Sequence, residues 1–211
     1  DHAGFPVTPG AVQPNRAGTA SPGGLYKTDY FVSKFNPAGT ALVYSTLFGG
    51  SLDEGTWSYT PGGLAIDAQG GVHFVGDTLS PDYPVTPNAA DGTYALDPGG
   101  VTADAVYTRL NADGSLSYST YIGGTRREVA TGVDVDAAGN VYIVGKTASA
   151  PADGFVTTAD GYRTTRSGTD DVFVQRYSPA GALVYSTYFG GTQGDMTHRA
   201  DIVANGGSYF K

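Results

Sequence analysis

One seven-residue pattern, Tyr-Ser-Thr-x-x-Gly-Gly, occurs three times in this chain of 211 residues. The copies occupy residues 44–50, 118–124 and 185–191, so the second Gly recurs after 74 and then 67 residues. Each copy ends a similar block of about 21 residues that opens on Asp29, Asp104 or Asp171. A period of this size predicts an array of equivalent β-units, each packed against its neighbours.

Each block contains two stretches of alternating side chains, which is typical of half-buried strands. The two stretches are separated by a turn that ends on a Gly suited to positive φ, at residues 36–39, 111–114 and 178–181. A second hairpin follows every Gly-Gly pair, within residues 63–76, 132–145 and 200–211. Four short strands per unit predict an all-β fold, a β-propeller built from four-stranded antiparallel blades.

Four segments carry a resemblance to a known family. They are Phe173-Val-x-x-Tyr-Ser-Pro-Ala-Gly181, Leu183-Val-Tyr-Ser-Thr-Tyr-Phe-Gly-Gly191, Val133-Asp-Val-Asp-Ala-Ala-Gly-Asn-Val-Tyr142 and Phe5-Pro-Val-Thr-Pro-Gly-Ala-Val-Gln13. The chain resembles the bacterial SBBP repeat family, named for seven-bladed β-propellers, over nearly its whole length. Its inner hairpins are also similar to those of NHL-type blades. The resemblance implies a propeller in an exported or cell-surface protein, and it implies no defined chemistry.

The resemblance to NHL-type blades implies that strands near 62–67, 132–136 and 200–204 line a central channel. The whole chain, residues 1–211, is then a single propeller segment. We expect an outer half-blade at 29–50, full blades at about 62–124 and 130–191, and an inner half-blade at about 199–211.

Three inserts, residues 1–28, 79–103 and 148–170, join the inner hairpins to the outer ones. We expect each insert to contain a short helical turn with Thr as its N-cap, and an aromatic plug such as Phe5, Tyr83 or Phe155. Because loops carry function more often than strands do, these three loops are a candidate binding surface.

Three units are too few for a ring, since a propeller has about four to eight blades. Open ends would expose unpaired strand edges, which invite pairing with other chains. Three solutions stay open at this point. The chain is part of a longer protein, or it assembles head to tail into a six-bladed homodimer, or it is an open stack capped by partner proteins.

Composition excludes several functions and favours one location. The net charge is −8 with only 12 Lys and Arg, so nucleic acid is not an expected partner. The absence of Cys excludes disulfides, thiolate catalysis and Cys-ligated metals. No apolar run is long enough to span a bilayer. The high content of Gly, Thr, Ser and Tyr resembles secreted proteins and proteins of the bacterial cell surface or periplasm.

One loop resembles the Asp-box turn of sialidase-type propellers, although it is one residue short. It reads Ser51-Leu-Asp-Glu-Gly-Thr-Trp57 and lies in an acidic loop that varies between copies. The interpretation we favour is a turn only. The alternative is a carbohydrate-binding propeller that uses Trp57, Tyr59, Asp53 and Glu54.

Asp134, Asp136 and Asn140 suggest a Ca²⁺ loop, because the carboxylates of the two Asp alternate and the Asn adds an amide oxygen, but the distal Glu that such a loop needs is missing. Asp136 is more simply explained as an acceptor for turn amides. We therefore expect no cofactor, with Ca²⁺ as the weak alternative. A hydrolase with a channel-mouth site, near Asp134, Asp201 and Arg199, is a third reading. His2, His73 and His198 form no catalytic set in the sequence.

Residues that recur identically in each blade are expected to serve the blade itself. These repeated residues are Tyr44, Ser45, Thr46, Tyr118, Ser119, Thr120, Tyr185, Ser186 and Thr187. The tyrosines are expected to pack between blades, and the Ser-Thr pairs to hydrogen-bond between strands. The sequence thus predicts a non-enzymatic structural or protein-interaction module. Its partners are other protein chains, another copy of the chain, or the remaining blades of a longer one.

Overall fold

The computed structural model of the chain describes residues 4–18, 28–55, 62–96 and 102–195, and the backbone of two more strands at 200–202 and 208–210. The fold is all-β, which confirms the predicted class. The described residues form twelve strands: β1 (Tyr30–Phe35), β2 (Leu42–Phe48), β3 (Leu64–Ile66), β4 (Val72–Thr78), β5 (Asp104–Leu110), β6 (Leu116–Ile122), β7 (Glu128–Val135), β8 (Val141–Thr147), β9 (Asp171–Tyr177), β10 (Leu183–Phe189), β11 (Ala200–Ile202) and β12 (Ser208–Phe210).

The strands form four separate antiparallel sheets. β1 and β2 form a two-stranded sheet, which we call the first half-blade. β3–β4–β5–β6 and β7–β8–β9–β10 are the first and second full blades, and β11–β12 is the last half-blade. The sheets follow one another without closing into a ring, as expected for an incomplete propeller.

The hairpin turns follow the predicted chemistry. In the outer hairpins the amides of Gly39, Gly114 and Gly181 donate to the carbonyl three residues earlier, and all three glycines have positive φ. The inner hairpins repeat this arrangement at Gly70 and Gly139. Because only Gly adopts this conformation without strain, these five positions fix where each strand pair reverses.

The innermost strands of successive sheets lie close together. β7 contacts β3, β4 and β5, and β11 contacts β7 and β8. Two large hydrophobic clusters fill the space between neighbouring sheets. One joins the first half-blade to the first full blade through residues such as Phe48, Phe74 and Tyr83. The other joins the two full blades through residues such as Tyr107, Phe155 and Phe173.

Each insert lies along the outer edge of its blade. The amides of Leu47, Tyr121 and Tyr188 donate to insert carbonyls at 13, 91 and 163, so the outer strand has a partner on its outer side. This contact protects an edge that would otherwise be open to pairing. Tyr83 and Phe155 are buried beneath their inserts, as the plug hypothesis predicted, whereas Phe5 is only half-buried and its ring centre lies 5.0 Å from that of Phe31.

The prediction of a helical turn after Thr in each insert is wrong. Thr8, Thr86 and Thr158 each begin a single tight turn in which the carbonyl accepts an amide three residues on. Their hydroxyls instead accept the amides of Ser45, Ser119 and Ser186 in the neighbouring strand. The chain must stay extended to follow that strand, so no helix forms there. The one helical segment of the described residues is a 3₁₀ turn at Pro151–Asp153, and within those residues no helix has the length and apolar character to cross a membrane.

Candidate functional site

The first half-blade has one face that no other sheet covers in the described part of the chain. Tyr30 and Val32 on β1 point the other way and pack against the first full blade. Phe31, which alternates with them, is 59% exposed, and Phe35 is exposed to the same degree. We call the surface formed by Phe31 and Phe35 the open face.

The matching position in the second full blade is covered. Phe31 pairs with Leu47, and Phe173 pairs with Tyr188, which holds the same place in the repeat. Phe173 is 0% exposed because the first full blade packs over it. The exposure of Phe31 therefore reflects a missing neighbour and not a different strand.

A second uncovered surface lies on the inner side of the first half-blade. Leu64 on β3 is 58% exposed, and Ile66 is exposed as well. Val133, which pairs with Ile143 as Leu64 pairs with Phe74, is only 6% exposed. β4 of the preceding blade lies against β7 and supplies the cover, and nothing in the described residues does so for β3.

A cavity of about 290 Å³ occupies the space beside these residues. Its lining includes Tyr30, Val32, Leu64 and Phe74, which belong to β1, β3 and β4. The lining is predominantly apolar and lies where an inner hairpin would stand next to β1. Contiguous exposed apolar surfaces occur at protein or membrane interaction sites and in ligand-binding grooves.

The repeated tyrosines contact the next blade. The ring of Tyr44 lies directly over Gly114, and that of Tyr118 over Gly181, so close that a Cβ on either glycine would overlap the ring. The hydroxyl of Tyr118 also donates to the Gly181 carbonyl at 2.7 Å. The hydroxyl of Tyr185 accepts the amide of Tyr162 in its own insert.

The Ser-Thr pairs are used for bonding within each blade. The serine hydroxyls contact the adjacent strand of the outer hairpin: Ser45 bonds to Ser33, Ser119 to Thr108 and Ser186 to Gln175. The threonine hydroxyls accept an insert amide and donate to the next carbonyl of their own strand, at Thr46, Thr120 and Thr187. These six side chains therefore connect each outer strand to its hairpin partner and to its insert.

A buried glutamate connects successive blades. Glu128 is 0% exposed and accepts the Gly124 amide at the end of the first full blade. Its other oxygen accepts the hydroxyl of Thr147 and the amide of Ser149 at the end of β8. Burial raises the pKa of Glu128 to about 7, and these hydrogen bonds lower it in part.

Glu54 repeats this arrangement one blade earlier. It accepts the Gly50 amide and the hydroxyls of Thr78 and Ser80, and burial raises its pKa to about 8. The interpretation of Glu54 as a ligand-binding residue in a variable acidic loop is therefore corrected. The side chain is 3% exposed, because it is committed to the junction between two sheets.

An aspartate opens the third strand of each repeat, near the buried end of the blade. Asp29, Asp104 and Asp171 accept insert amides, for example from Ala17, Ala95 and Ser167. Asp104 and Asp171 are fully buried, and Asp29 is half-buried. Burial raises the pKa of Asp104 to about 8, and the nearby charge of Glu128 adds to the effect. We did not predict the burial of these aspartates or of the two glutamates from the sequence. For the glutamates a signal was present, since an acidic residue stands four positions after the second Gly in each copy, at 54, 128 and 195.

The two Asp of the Ca²⁺ hypothesis accept hydrogen bonds from different groups. Asp136 accepts the amides of Ala138 and Asn140 and the side-chain amide of Asn140, as the turn interpretation predicted. Asp134 accepts the amide of Val135. Among the residues described here, no three His, Asp or Glu side chains converge as a group that could hold a metal ion.

The carbohydrate and hydrolase hypotheses concern residues that are largely outside the described ranges. Trp57 and Tyr59 lie there, as do Arg199 and the side chain of Asp201. His2 and His198 also lie outside. Asp53, which is described, accepts the amide of Thr28.

His73 belongs to a buried polar cluster that the sequence did not indicate. Its Nδ1 lies 2.8 Å from the hydroxyl of Tyr107, and its Nε2 lies 3.2 Å from Asp67. Arg109 also contacts Asp67. Burial lowers the pKa of His73, which favours the neutral ring. The imidazole and the phenol are both buried, so the cluster offers no reactive group to solvent.

Comparison with known proteins supports the fold. Residues 117–151 match the family model SBBP, described as a beta-propeller repeat. The matched segment runs from β6 through the Glu128 junction to the end of β8. No curated protein matched the chain. The predicted family is therefore confirmed for this segment.

Proposed function

Because residues 117–151 are a beta-propeller repeat of the SBBP family, we propose that the chain is a non-enzymatic protein-interaction module of an exported bacterial cell-surface protein. A propeller repeat suggests a structural or interaction role in general. The observation that carries the interaction role is the apolar surface left uncovered at the first half-blade and at β3 of the neighbouring first full blade. Phe31 and Phe35 are exposed on the half-blade, and Leu64 and Ile66 are exposed on β3.

The physical argument is the cost of leaving such side chains in water. Each large apolar side chain gains about 1.5–3 kcal/mol when it is fully buried. Phe173 realises that gain in the same repeat position, so Phe31 has the right geometry for the same kind of contact. A protein partner that packs on the open face would recover it.

The repeated polar residues support a non-catalytic role. The Ser-Thr pairs, Glu54 and Glu128 all bond to backbone or side chains of the blades in equivalent ways. A catalytic group needs access to a substrate, and these groups are buried. Export is supported by the family resemblance and by the composition of the chain.

The experiment is site-specific photo-crosslinking in the cells that produce the protein. A photoreactive phenylalanine analogue replaces Phe31 in one variant and Tyr162 in another. Tyr162 is the matched control, because it is an exposed aromatic side chain on an insert loop. We expect a discrete protein adduct from position 31 and none from position 162.

The outcomes separate the two candidate surfaces. Adducts from position 162 alone would overturn the open face and favour the insert loops. Absence of protein adducts at both positions would contradict an interaction role. Surface labelling of intact cells tests location, and a chain that is protected from a membrane-impermeant label would contradict surface display.

A further inference from the structure

A cavity of about 470 Å³ lies between the two full blades, beside their inserts and outer strands. Its buried part is formed by the side chains of Tyr121, Phe155, Gln175 and Tyr177. All eight strands of these two blades are described, so the cavity does not arise from an uncovered edge of the chain. A volume of this size with mainly apolar walls and a few polar groups is typical of sites for small molecules.

The side chains that leave this space differ from those at the equivalent place between the first half-blade and the first full blade. There Val12 packs against the hydrophobic cluster, and the hydroxyl of Tyr83 bonds to that of Thr108 at 3.0 Å. Between the full blades the matching residues are Ala90, which lacks the Val methyl groups, and Phe155, which lacks the hydroxyl. The blade repeat therefore does not require these smaller side chains.

Asp91 is the one charged residue among the described residues that line the cavity. Its counterparts Gln13 and Arg163 bond to the first Gly of the Gly-Gly pair in their own blades. Asp91 is too short to do this. Its Oδ1 instead accepts the amide and the hydroxyl of Thr93, which holds the carboxylate in place and leaves Oδ2 for another partner.

The buried polar group of the cavity is neutral and held on both sides. Gln175 is 2% exposed, its side-chain oxygen accepts the Tyr177 hydroxyl at 2.7 Å, and its nitrogen donates to Ser186 at 3.2 Å. Burial raises the pKa of the Tyr177 phenol, and the charge of Asp91 adds to the effect, so the phenol also stays neutral. A charged ligand can therefore find its counter-charge at Asp91.

From this arrangement we propose that the cavity binds a small organic ammonium ion that carries an apolar group. The apolar group packs between Phe155 and Tyr177, and the ammonium group pairs with Asp91. Aromatic rings attract organic cations as well as apolar groups. The described lining offers no Lys, Arg or His to an acid or a phosphate, and the net charge of −8 also favours a cation. This site goes beyond the interaction role proposed above and lies apart from the open face.

The test is an NMR titration of the 211-residue chain at pH 7 with three probes. The probes are 2-phenylethylammonium, 2-phenylethanol and phenylacetate, which share a phenyl ring on a two-carbon chain and differ in charge. We expect shifts at the backbone amides of Ala90 and Asp91 and at the side-chain amide of Gln175. The ammonium probe should bind most tightly and phenylacetate most weakly. Shifts only elsewhere in the chain, or equal affinity for the three probes, would overturn the proposal.

Two variants separate the charge from the apolar walls. Asp91→Asn should weaken binding of the ammonium probe by about fivefold or more and leave that of 2-phenylethanol unchanged. Ala90→Tyr introduces the residue that the chain has at the equivalent position, Tyr162, and should remove binding of both probes by filling the cavity. The NMR spectrum of each variant without probe checks that the fold is kept.

Asp113→Asn is the matched control, because it makes the same change in net charge at an exposed Asp outside the cavity lining. It should leave both affinities unchanged. An equal loss of ammonium binding in Asp113→Asn and Asp91→Asn would contradict the proposal, since net charge would then explain the affinity. Unchanged ammonium binding in Asp91→Asn would overturn it as well.

Discussion

Phe31 and Phe173 hold the same position in two outer hairpins of one chain, and they differ only in what lies next to them. Both side chains lie on the face of their hairpin that is directed towards the position of the preceding blade. One is 59% exposed and the other is fully buried. The comparison shows that the repeat sequence specifies each hairpin, whereas the neighbouring blade determines which side chains form the core. The first half-blade thus forms the same hairpin as the full blades, although no sheet among the described residues covers its open face.

The largest expected difference is in the cost of truncating these two side chains. Phe173→Ala removes a buried ring and should lower the free energy of unfolding by about 3–5 kcal/mol. Phe31→Ala should lower it by less than about 1 kcal/mol at dilutions where light scattering reports a single copy. Urea denaturation of both variants measures this. Equal costs in dilute solution would show that the open face is covered within one chain.

The buried carboxylates of the two junctions predict a dependence of stability on pH. Glu54 and Asp104 have pKa values of about 8, raised from 4.5 and 3.8 mainly by burial. Between about pH 4 and 8 the folded chain therefore holds protons that the unfolded chain has released, so stability falls as pH rises through this window. We expect the free energy of unfolding to fall by a few kcal/mol, as an order of magnitude, between pH 5 and pH 8.5. Thermal unfolding at a series of pH values measures this change. Glu54→Gln and Asp104→Asn should each make the profile flatter, and an unchanged profile would contradict this assignment.

Two turn glycines offer a second comparison between an uncovered position and one that a neighbouring blade covers. Gly39 and Gly181 occupy one repeat position, and both have positive φ. A Cβ on Gly39 meets no atom within 4 Å, whereas on Gly181 it would lie 2.3 Å from the ring of Tyr118. Gly39→Ala should cost about 1–2 kcal/mol from backbone strain alone. Gly181→Ala should cost about 1–3 kcal/mol more because the ring must move. Calorimetric unfolding checks this difference, and equal costs would mean that Tyr118 moves aside freely.

The smallest expected effect concerns two tyrosine hydroxyls. The Tyr118 hydroxyl bonds to the Gly181 carbonyl and the Ala90 amide, whereas the buried Tyr44 hydroxyl has no hydrogen-bond partner among the described residues. Tyr118→Phe should destabilise the chain by about 1 kcal/mol, and Tyr44→Phe should be neutral or slightly stabilising. Chemical denaturation with replicate precision of a few tenths of a kcal/mol distinguishes them. The reverse order would contradict the two hydrogen-bond assignments.

Local patterns predicted the strands and turns because their causes are local. The Gly at 39, 114 and 181 marks a turn that depends on a few neighbouring residues, and alternation defines the strands on either side. The conformation of the inserts was harder to predict from the sequence, because it depends on distant residues. Thr86, for example, bonds to Ser119, which is 33 residues away. A pattern within the insert itself gave no sign of that strand, and it suggested a helix cap.

The sequence alone did not predict the buried junctions, because their hydrogen-bond partners also lie far apart in the sequence. Glu54 stands in a polar loop, and its partners Thr78 and Ser80 lie more than 20 residues further along the chain. His73 likewise meets Tyr107 only after the first full blade has folded. Burial of a charged residue depends on such distant contacts, so composition near the residue gives the opposite expectation.

The segment that matches the family model begins in the last strand of one blade and ends with the first two strands of the next. The matched segment therefore contains a whole seam between two blades: the Gly124 exit, the buried Glu128, and the Thr147 and Ser149 groups that donate to it. These bonds connect residues within about 25 positions of one another along the chain, so one short stretch of sequence carries both sides of the contact between two sheets. A seam that is encoded in this way moves as one piece whenever the segment is moved.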